Sequence, residues 1–159
     1  MPKEPYMLYT DPLRLQQVII NLLNNALKFT PDGGSITLNY EIDEEDQCML
    51  FSVTDTGSGI PEDKQELVFQ RFEKLNEFVQ GTGLGLAICK LTIQRMGGDI
   101  WIDKNYKNGA RFVFSQFYQK TGIGRKIEKK PDKFDESLFL FRLLCSRKDK
   151  GVPQRGAED

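Results

Sequence analysis

The sequence predicts an α+β domain, a two-layer α/β sandwich with about three helices on one face of a mostly antiparallel mixed sheet of about five strands. Three observations predict this class. One long segment spaces its apolar residues as a helix does, several short segments alternate apolar and polar residues as strands do, and turn residues separate these segments. The resulting element order is β-α-β-β-loop-α-β-β.

The amino-terminal part predicts a short strand followed by a long helix. Residues 6–9 are the strand candidate, and Asp11 then provides a helix cap before Pro12, which suits the first turn of a helix. The apolar residues that follow keep helical spacing until the stop signal TPDGG at 30–34. We therefore predict a helix over residues 12–29.

The next two strands are predicted to form a hairpin. Apolar and polar residues alternate over residues 36–42 and again over 49–55, and the acidic run 43–46 lies between them. An acidic run between two strands is typical of a solvated hairpin loop.

The second half of the domain contains a long irregular segment, a helix and a second hairpin. Residues 57–82 mix glycine, charge and phenylalanine without a sustained period. Apolar residues at helical spacing then predict a helix from residue 84 to Gly97 and Gly98, which provide a glycine cap. Asn108-Gly109 predicts a tight turn between strands 100–102 and 112–114.

Composition excludes several kinds of chemistry. The 159 residues include no histidine, which excludes a Ser/His/Asp triad, an HExxH zinc site and a phosphohistidine within this chain. The net charge of −1 argues against nucleic acid as the main partner. Three widely spaced cysteines indicate a reducing compartment, and no apolar run is long enough for a membrane span. We therefore expect a cytoplasmic segment without membrane contact.

Charge divides the chain into a domain and a tail. Residues 1–118 carry 11 Lys or Arg and 16 Asp or Glu, a net charge of −5, whereas residues 119–159 carry 11 and 7, a net charge of +4. The tail includes the segment 134–146, in which four residues share a helical spacing: Phe134, Leu138, Phe141 and Cys145. This segment is either a short amphipathic helix docked on the domain or on a partner, or part of a disordered basic end.

A stripe of polar residues follows the first predicted helix. Gln17, Asn21, Asn25 and Lys28 are four, four and three residues apart, which places them on one helix face. Such a stripe is usually a solvated face. Asparagine is a weak helix former, however, and an amide oxygen can bind Mg²⁺ while an ammonium group holds a phosphate.

Two glycine-containing motifs carry further chemistry. Asp55 and the glycines Gly57 and Gly59 follow a strand; they form either a capped tight turn or a surface on which a flat ring can lie, with the carboxylate accepting from that ring. The motif GTGLG at 81–85 opens a predicted helix, where backbone N–H groups and the helix dipole favour phosphate. Neither a dinucleotide fingerprint nor a GxxxxGK[ST] loop is present.

Four motifs in this order resemble the conserved boxes of the GHKL family. NLLNNALKFT at 21–30, DTGSGI at 55–60, FQRF at 69–72 and GTGLGLAI at 81–88 are similar to its N, first glycine, F and second glycine boxes. The similarity is greatest to the catalytic ATP-binding domain of two-component sensor histidine kinases and covers residues 6–118. It implies the Bergerat-type ATP-binding fold for residues 1–118.

The resemblance implies roles for particular residues. In the first box, Asn25 would ligate Mg²⁺, with Asn21 and Lys28 near the phosphates as the other catalytic residues. In the second box, Asp55 would accept from the adenine amino group, in a pocket shaped by Gly57, Gly59 and Ile60. Residues 61–80 would form a lid over ATP, with Phe69 and Phe72 as apolar anchors and Arg71 and Lys74 as phosphate contacts. The phosphate end would be closed by Gly81, Thr82, Gly83, Leu84 and Gly85. Without the resemblance, Phe69 and Phe72 are equally well explained as core residues.

One departure from the wider family favours phosphate transfer over hydrolysis. Related ATPases carry a water-activating glutamate where this chain has Asn21, and an amide is no general base. The resemblance thus implies MgATP bound for transfer to a histidine on a dimerisation domain absent from this chain, with a response regulator downstream. We therefore expect no self-phosphorylation of the isolated chain. The alternatives are an autonomous GHKL ATPase, a serine-directed kinase, or a nucleotide-binding module without catalysis.

Overall fold

The computed structural model describes residues 6–8, 10–71 and 83–120, and these contain five strands, two α-helices and two short 3₁₀ helices. The strands are β1 (Tyr6–Leu8), β2 (Ile36–Asp43), β3 (Cys48–Asp55), β4 (Ile100–Ile102) and β5 (Arg111–Lys120). The α-helices are α1 (Pro12–Phe29) and α2 (Gly85–Arg95), and the 3₁₀ helices are Glu62–Lys64 and Leu67–Phe69. The predicted tail helix 134–146 and most of the predicted lid lie outside the described residues.

The described strands form one antiparallel sheet around β5. β3 pairs with one edge of β5, while β4 and β1 pair with the other edge, and β2 lies outside β3. The order is therefore β1-β5-β3-β2, with β4 beside β5. This arrangement confirms the predicted α+β class. The predicted domain boundary after residue 118 falls within β5, which continues to Lys120.

Local signals in the sequence set the ends of both helices. The Asp11 carboxylate accepts hydrogen bonds from the backbone N–H groups of Leu13 (3.0 Å) and Arg14 (3.3 Å), so α1 begins where the sequence predicts. Helix α2 ends before Gly97, which has a φ of +82° and allows the chain to leave the helix. None of the helices in the described residues combines the length and apolar character needed to span a membrane.

Both helices pack on one face of the sheet. The apolar residues of α1 and α2 that are buried (Leu15, Val18, Leu22, Ala26, Cys89 and Ile93) join the inward-facing residues of β3 and β5 in one core cluster. At its centre the Phe51 and Phe114 rings stack with centroids 5.0 Å apart. The opposite face of the sheet carries a second, smaller apolar cluster, which we call the outer cluster: Cys48, Leu50 and Val113, with Trp101 packed against them.

The connection between β4 and β5 differs from the tight hairpin turn that Asn108-Gly109 predicts. The two strands do pair antiparallel, with Ile102 opposite Phe112, but the connection runs from residue 103 to residue 110. It is longer because its middle folds back onto the end of β3, where the Tyr106 hydroxyl donates to the Asp55 carbonyl over 2.9 Å.

Candidate functional site

A cleft lies where the carboxyl-terminal half of α1 meets the ends of β3 and β5. Seven residues from these elements and their loops line it: Asn25, Phe29, Asp55, Gly59, Ile60, Ala110 and Phe112. Its walls are mostly apolar, and two side chains bring polar atoms into it, an amide from α1 and a carboxylate from the end of β3. An apolar cleft with a few convergent polar groups is the usual form of a small-molecule site.

Asp55 is the charged residue of the cleft, and the backbone around it fixes its position. The residue is 4% exposed, and its Oδ1 accepts hydrogen bonds from the N–H groups of Gly57 (2.9 Å) and Ala110 (3.1 Å). Because both bonds end on Oδ1, the described structure leaves Oδ2 to accept a hydrogen bond from a ligand. A buried carboxylate oriented in this way selects a ligand that donates a proton-bearing nitrogen.

The loop after β3 is pressed against the end of α1. A Cβ atom on Gly57 would collide with the carbonyl group of Phe29, and the N–H of Ser58 donates to that carbonyl oxygen over 3.3 Å. Gly59 has a φ of +71°, a conformation that favours glycine, and it forms part of the cleft wall. Glycine at these two positions therefore lets the loop lie close to the helix and turn into the cleft.

Helices α1 and α2 run antiparallel, which places the start of α2 beside the end of α1. The Thr10 hydroxyl lies 3.4 Å from Met96 Sδ, and the Cys89 thiol lies 3.9 Å from the Val18 carbonyl oxygen. The Asn21 side chain forms a hydrogen bond with Cys89. Since Asn21 is followed on the same face of α1 by Asn25, the first turn of α2 lies near the cleft.

The start of α2 has the features of an anion site. Leu84 is its N-cap residue and has no side chain that accepts from the first turn, and the first turn carries no acidic residue. A Cβ atom on Gly85 would meet nothing within 4 Å, so the backbone is open there. Backbone N–H groups at a helix start bind phosphate well when they are accessible.

Phe69 and Arg71 lie apart from the cleft. They line a second groove with Leu84 and the exposed face of α2. The Phe69 ring packs edge-on against Phe112, with centroids 6.0 Å apart, and Lys90 Nζ lies 5.5 Å from the centre of that ring. Phe69 is thus partly buried: it packs against the core behind the cleft and also lines the second groove.

The structure brings together four of the residues that the sequence predicts for the site, namely Asn25, Asp55, Gly59 and Ile60. Gly57 supports the loop from behind, Asn21 faces α2, and Lys28 is exposed in the last turn of α1. Gly83, with a φ of +71°, precedes α2. Four further predicted site residues lie outside the described residues: Phe72, Lys74, Gly81 and Thr82.

Sequence reasoning missed three cleft residues and two supporting ones. Phe29, Ala110 and Phe112 line the cleft, and Tyr106 and Lys90 support its surroundings. Phe29 and Phe112 fit the apolar pattern of a helix and a strand, so no signal distinguishes them from core residues. The Asn108-Gly109 turn signal marks the connection that contains Ala110.

Asp55 is the one carboxylate among the described residues that line the cleft, and no imidazole accompanies it. No group of three or more His, Cys, Asp or Glu side chains in the described ranges could hold a metal ion. The oxygen donor that α1 supplies to the cleft is the side-chain amide of Asn25. Mg²⁺ is commonly held by one or two protein oxygens together with substrate phosphates and water, and a single amide oxygen fits that pattern.

Comparison with known proteins gives a matching family model and similar relatives. The family model described as histidine kinase-, DNA gyrase B- and HSP90-like ATPase matches residues 10–136. The adaptive-response sensory kinase SasA of Nostoc sp. is 41% identical over 117 residues, which cover 72% of this chain and 29% of SasA. The sensor histidine kinase WalK of Bacillus subtilis is 36% identical over 141 residues, which cover 86% of this chain and 22% of WalK. The chain thus spans less than a third of either relative.

Solved structures show the same fold. The mycobacterial sensor histidine kinase MprB superposes with a TM-score of 0.62 at 28% identity, over 72% of this chain and 78% of that one. Full-length ShkA in complex with AMPPNP gives 0.59 at 33% identity, over 67% and 22%. Histidine kinase ThkA in complex with the response regulator protein TrrA gives 0.56 at 34% identity, over 67% and 29%. The chain therefore belongs to the histidine kinase-, DNA gyrase B- and HSP90-like ATPase family, and it has the fold of a histidine kinase catalytic domain.

Proposed function

We propose that this chain binds MgATP in the cleft and that, within a sensor histidine kinase, it presents the γ-phosphate to a histidine on a dimerisation domain. The observation that carries the proposal is that Asn25 and Asp55 line one cleft, which lies near the start of α2. Asp55 Oδ2 would accept from the adenine amino group, Asn25 would ligate Mg²⁺, and the first turn of α2 would bind phosphate.

The absence of a carboxylate on α1 supports transfer over hydrolysis. Residues 12–29 include no Asp or Glu, and the amide side chains of Asn21 and Asn25 do not take up a proton near neutral pH. Asp55 is held at Oδ1 by two backbone N–H groups on the base side of the cleft. Positioning and electrostatic stabilisation supply most of the catalysis of phosphoryl transfer when an external nucleophile attacks, so a general base for water is not needed.

The partners follow from the same proposal. The chain contains no histidine, so the phosphate acceptor belongs to another domain. The similarity to the ThkA complex with TrrA supports a response regulator as the downstream partner. A cytoplasmic location fits these partners.

Calorimetric titration with a nonhydrolysable ATP analogue, with and without Mg²⁺, tests the binding part. Asn25→Ala should lose most of the Mg²⁺-dependent gain in affinity. Asn24→Ala is the matched control, because Asn24 is exposed on the same helix and does not line the cleft. Equal affinity with and without Mg²⁺ in the unsubstituted chain would refute the metal assignment.

The transfer part needs a separate acceptor. Incubation with γ-labelled ATP and a histidine-containing dimerisation domain should give acid-labile phosphate on that domain and none on this chain. Steady release of inorganic phosphate without an acceptor would instead support an autonomous ATPase, and label on serine would support a serine-directed kinase.

A further inference from the structure

The first half of strand β3, residues 48–51, is buried on both of its faces. Alternate residues point to opposite sides of a strand, so Cys48 and Leu50 face away from the helices that cover Met49 and Phe51. Even so, Cys48 is 3% exposed, Leu50 is 5% exposed, and Val113, which lies on the same face of β5, is 0% exposed. An antiparallel sheet with one solvated face would leave such side chains accessible to water.

The described helices do not account for this burial. All buried apolar residues of α1, α2 and the 3₁₀ helices belong to the inner core cluster, and the outer cluster contains strand residues alone. Glu41, which lies opposite Leu50 on the same outer face, has a pKa raised by burial, and its Oε2 atom is buried without a hydrogen-bond partner in the described structure. The shielding therefore extends from the apolar cluster to Glu41 but is partial, because Phe117, which pairs with Cys48 on the same face, is 46% exposed.

The chain continues directly from the sheet with enough length to cover this face. β5 ends at Lys120, and residues 121–159 follow it. The stretch 121–133 can span at most about 45 Å when extended, whereas an eight-residue strand is roughly 26 Å long. The segment 134–146 can therefore reach any part of the outer face.

Residue chemistry makes this segment the best match to the outer cluster. At helical spacing, Phe134, Leu138, Phe141 and Cys145 would form one apolar stripe. The residues that flank this segment carry the positive charge of the tail, which gives residues 119–159 a net charge of +4, and they are attracted to the preceding residues, whose net charge is −5. We propose that segment 134–146 docks on the outer cluster as an amphipathic helix and converts the two-layer domain into a three-layer one.

Cysteine labelling in the full chain tests this proposal, with Cys48 as the reporter. Cys48 belongs to the outer cluster, whereas Cys89 is buried in the inner core and reports unfolding. Leu138→Asp should increase the rate at which a maleimide labels Cys48 at least tenfold, measured by peptide mass spectrometry. Leu143→Asp is the matched control, because residue 143 would lie on the opposite side of the helix, and it should leave the rate unchanged.

Four other results of the labelling experiment would refute the proposal. Rapid labelling of Cys48 in the unsubstituted chain would show an open face, and slow labelling in both variants would assign the cover to another segment. Equal acceleration by both variants would refute the helical stripe. Protection of Cys48 that disappears on dilution would assign the cover to a second copy of the chain.

If Leu138→Asp also exposes Cys89, the variant has unfolded, and a photochemical cross-linking experiment then tests whether segment 134–146 docks on the outer cluster. Benzoylphenylalanine in place of Phe141 keeps an aromatic ring at that position, so the docked state should persist. Cross-links within one chain to residues 48–55 or 111–120 are expected. Cross-links to other parts of the chain, or between chains, would overturn the proposal.

Discussion

The Tyr106 hydroxyl donates a hydrogen bond to the main-chain carbonyl oxygen of Asp55 over 2.9 Å, and this bond joins the β4–β5 connection to the end of β3. The same connection supplies the N–H of Ala110, which donates to Asp55 Oδ1. A loop distant in sequence therefore holds Asp55 in place at both its main-chain carbonyl and its side-chain carboxylate.

Tyr106→Phe should destabilise the fold and weaken nucleotide binding together. Loss of one hydrogen bond of this kind costs about 1 kcal/mol, so we expect a similar decrease in the free energy of unfolding and about a fivefold loss of affinity. Urea denaturation and calorimetry measure the two effects. Tyr40→Phe is the control, because the Tyr40 hydroxyl is buried without a hydrogen-bond partner in the described structure, so its loss should cost little stability and no affinity.

Asp55→Asn should separate ligand binding from folding. The remaining amide oxygen can still accept from Gly57 and Ala110, while the amide nitrogen replaces the acceptor that faces the cleft. We expect a loss of affinity for adenine nucleotides of about 10- to 100-fold, with a thermal midpoint near that of the unsubstituted chain.

Asp103→Asn is the matched control for that prediction. Asp103 is also 4% exposed, but its carboxylate accepts from Asn105 and pairs with Arg111 outside the cleft. Its replacement should lower stability and leave nucleotide affinity unchanged. The reverse pattern would remove Asp55 from the site.

Gly85→Ala should weaken binding of phosphate without harm to the fold. Its new Cβ atom meets nothing within 4 Å, and alanine is a better helix former than glycine, so stability should stay equal or rise slightly. The methyl group would keep phosphate away from the start of α2. ATP affinity should therefore fall several-fold while adenosine affinity stays constant; an equal loss for both would contradict a phosphate role.

The free energy of unfolding should decrease at alkaline pH because the buried Cys89 thiol ionises more readily in the unfolded chain. Burial raises the pKa of this thiol from 9.0 to about 11, against a smaller opposing effect from its hydrogen bond with Asn21. The folded state binds the Cys89 thiol proton more tightly than the unfolded state does. This contribution to the free energy of unfolding is therefore fully present below pH 9 and is lost as the pH rises through 11. The difference amounts to about 3 kcal/mol.

Cys89→Ala isolates this contribution. The substitution shifts the unfolding free energy at all pH values because it leaves a small cavity, but it should reduce the slope between pH 9 and 11. Denaturation curves at matched pH values for the two chains give the comparison. An unchanged slope would show that other groups, such as tyrosines and lysines, cause the alkaline loss.

The sequence predicts the site where local signals and family motifs coincide. Helix α1 has its predicted bounds because Asp11, Pro12 and Thr30 act through their immediate neighbours. The fold-back of the β4–β5 connection was not predictable, since the Tyr106 bond joins residues 51 apart. Apolar cleft residues such as Phe112 follow the same alternation as core residues. The alternation of apolar and polar residues in β3 indicates one buried face only, so it does not predict that Leu50, on the other face, is also buried.

The close fit between Gly57 and the Phe29 carbonyl group has a consequence for how the cleft responds to a ligand. The loop after β3 is hydrogen-bonded to the end of α1, so the wall that carries Asn25 and the wall that carries Asp55 cannot move apart unless this contact breaks. This part of the cleft is therefore preorganised, and binding there requires little loss of conformational entropy. The affinity for the base should depend on solvation and hydrogen bonding, while any slow step in nucleotide release should arise elsewhere.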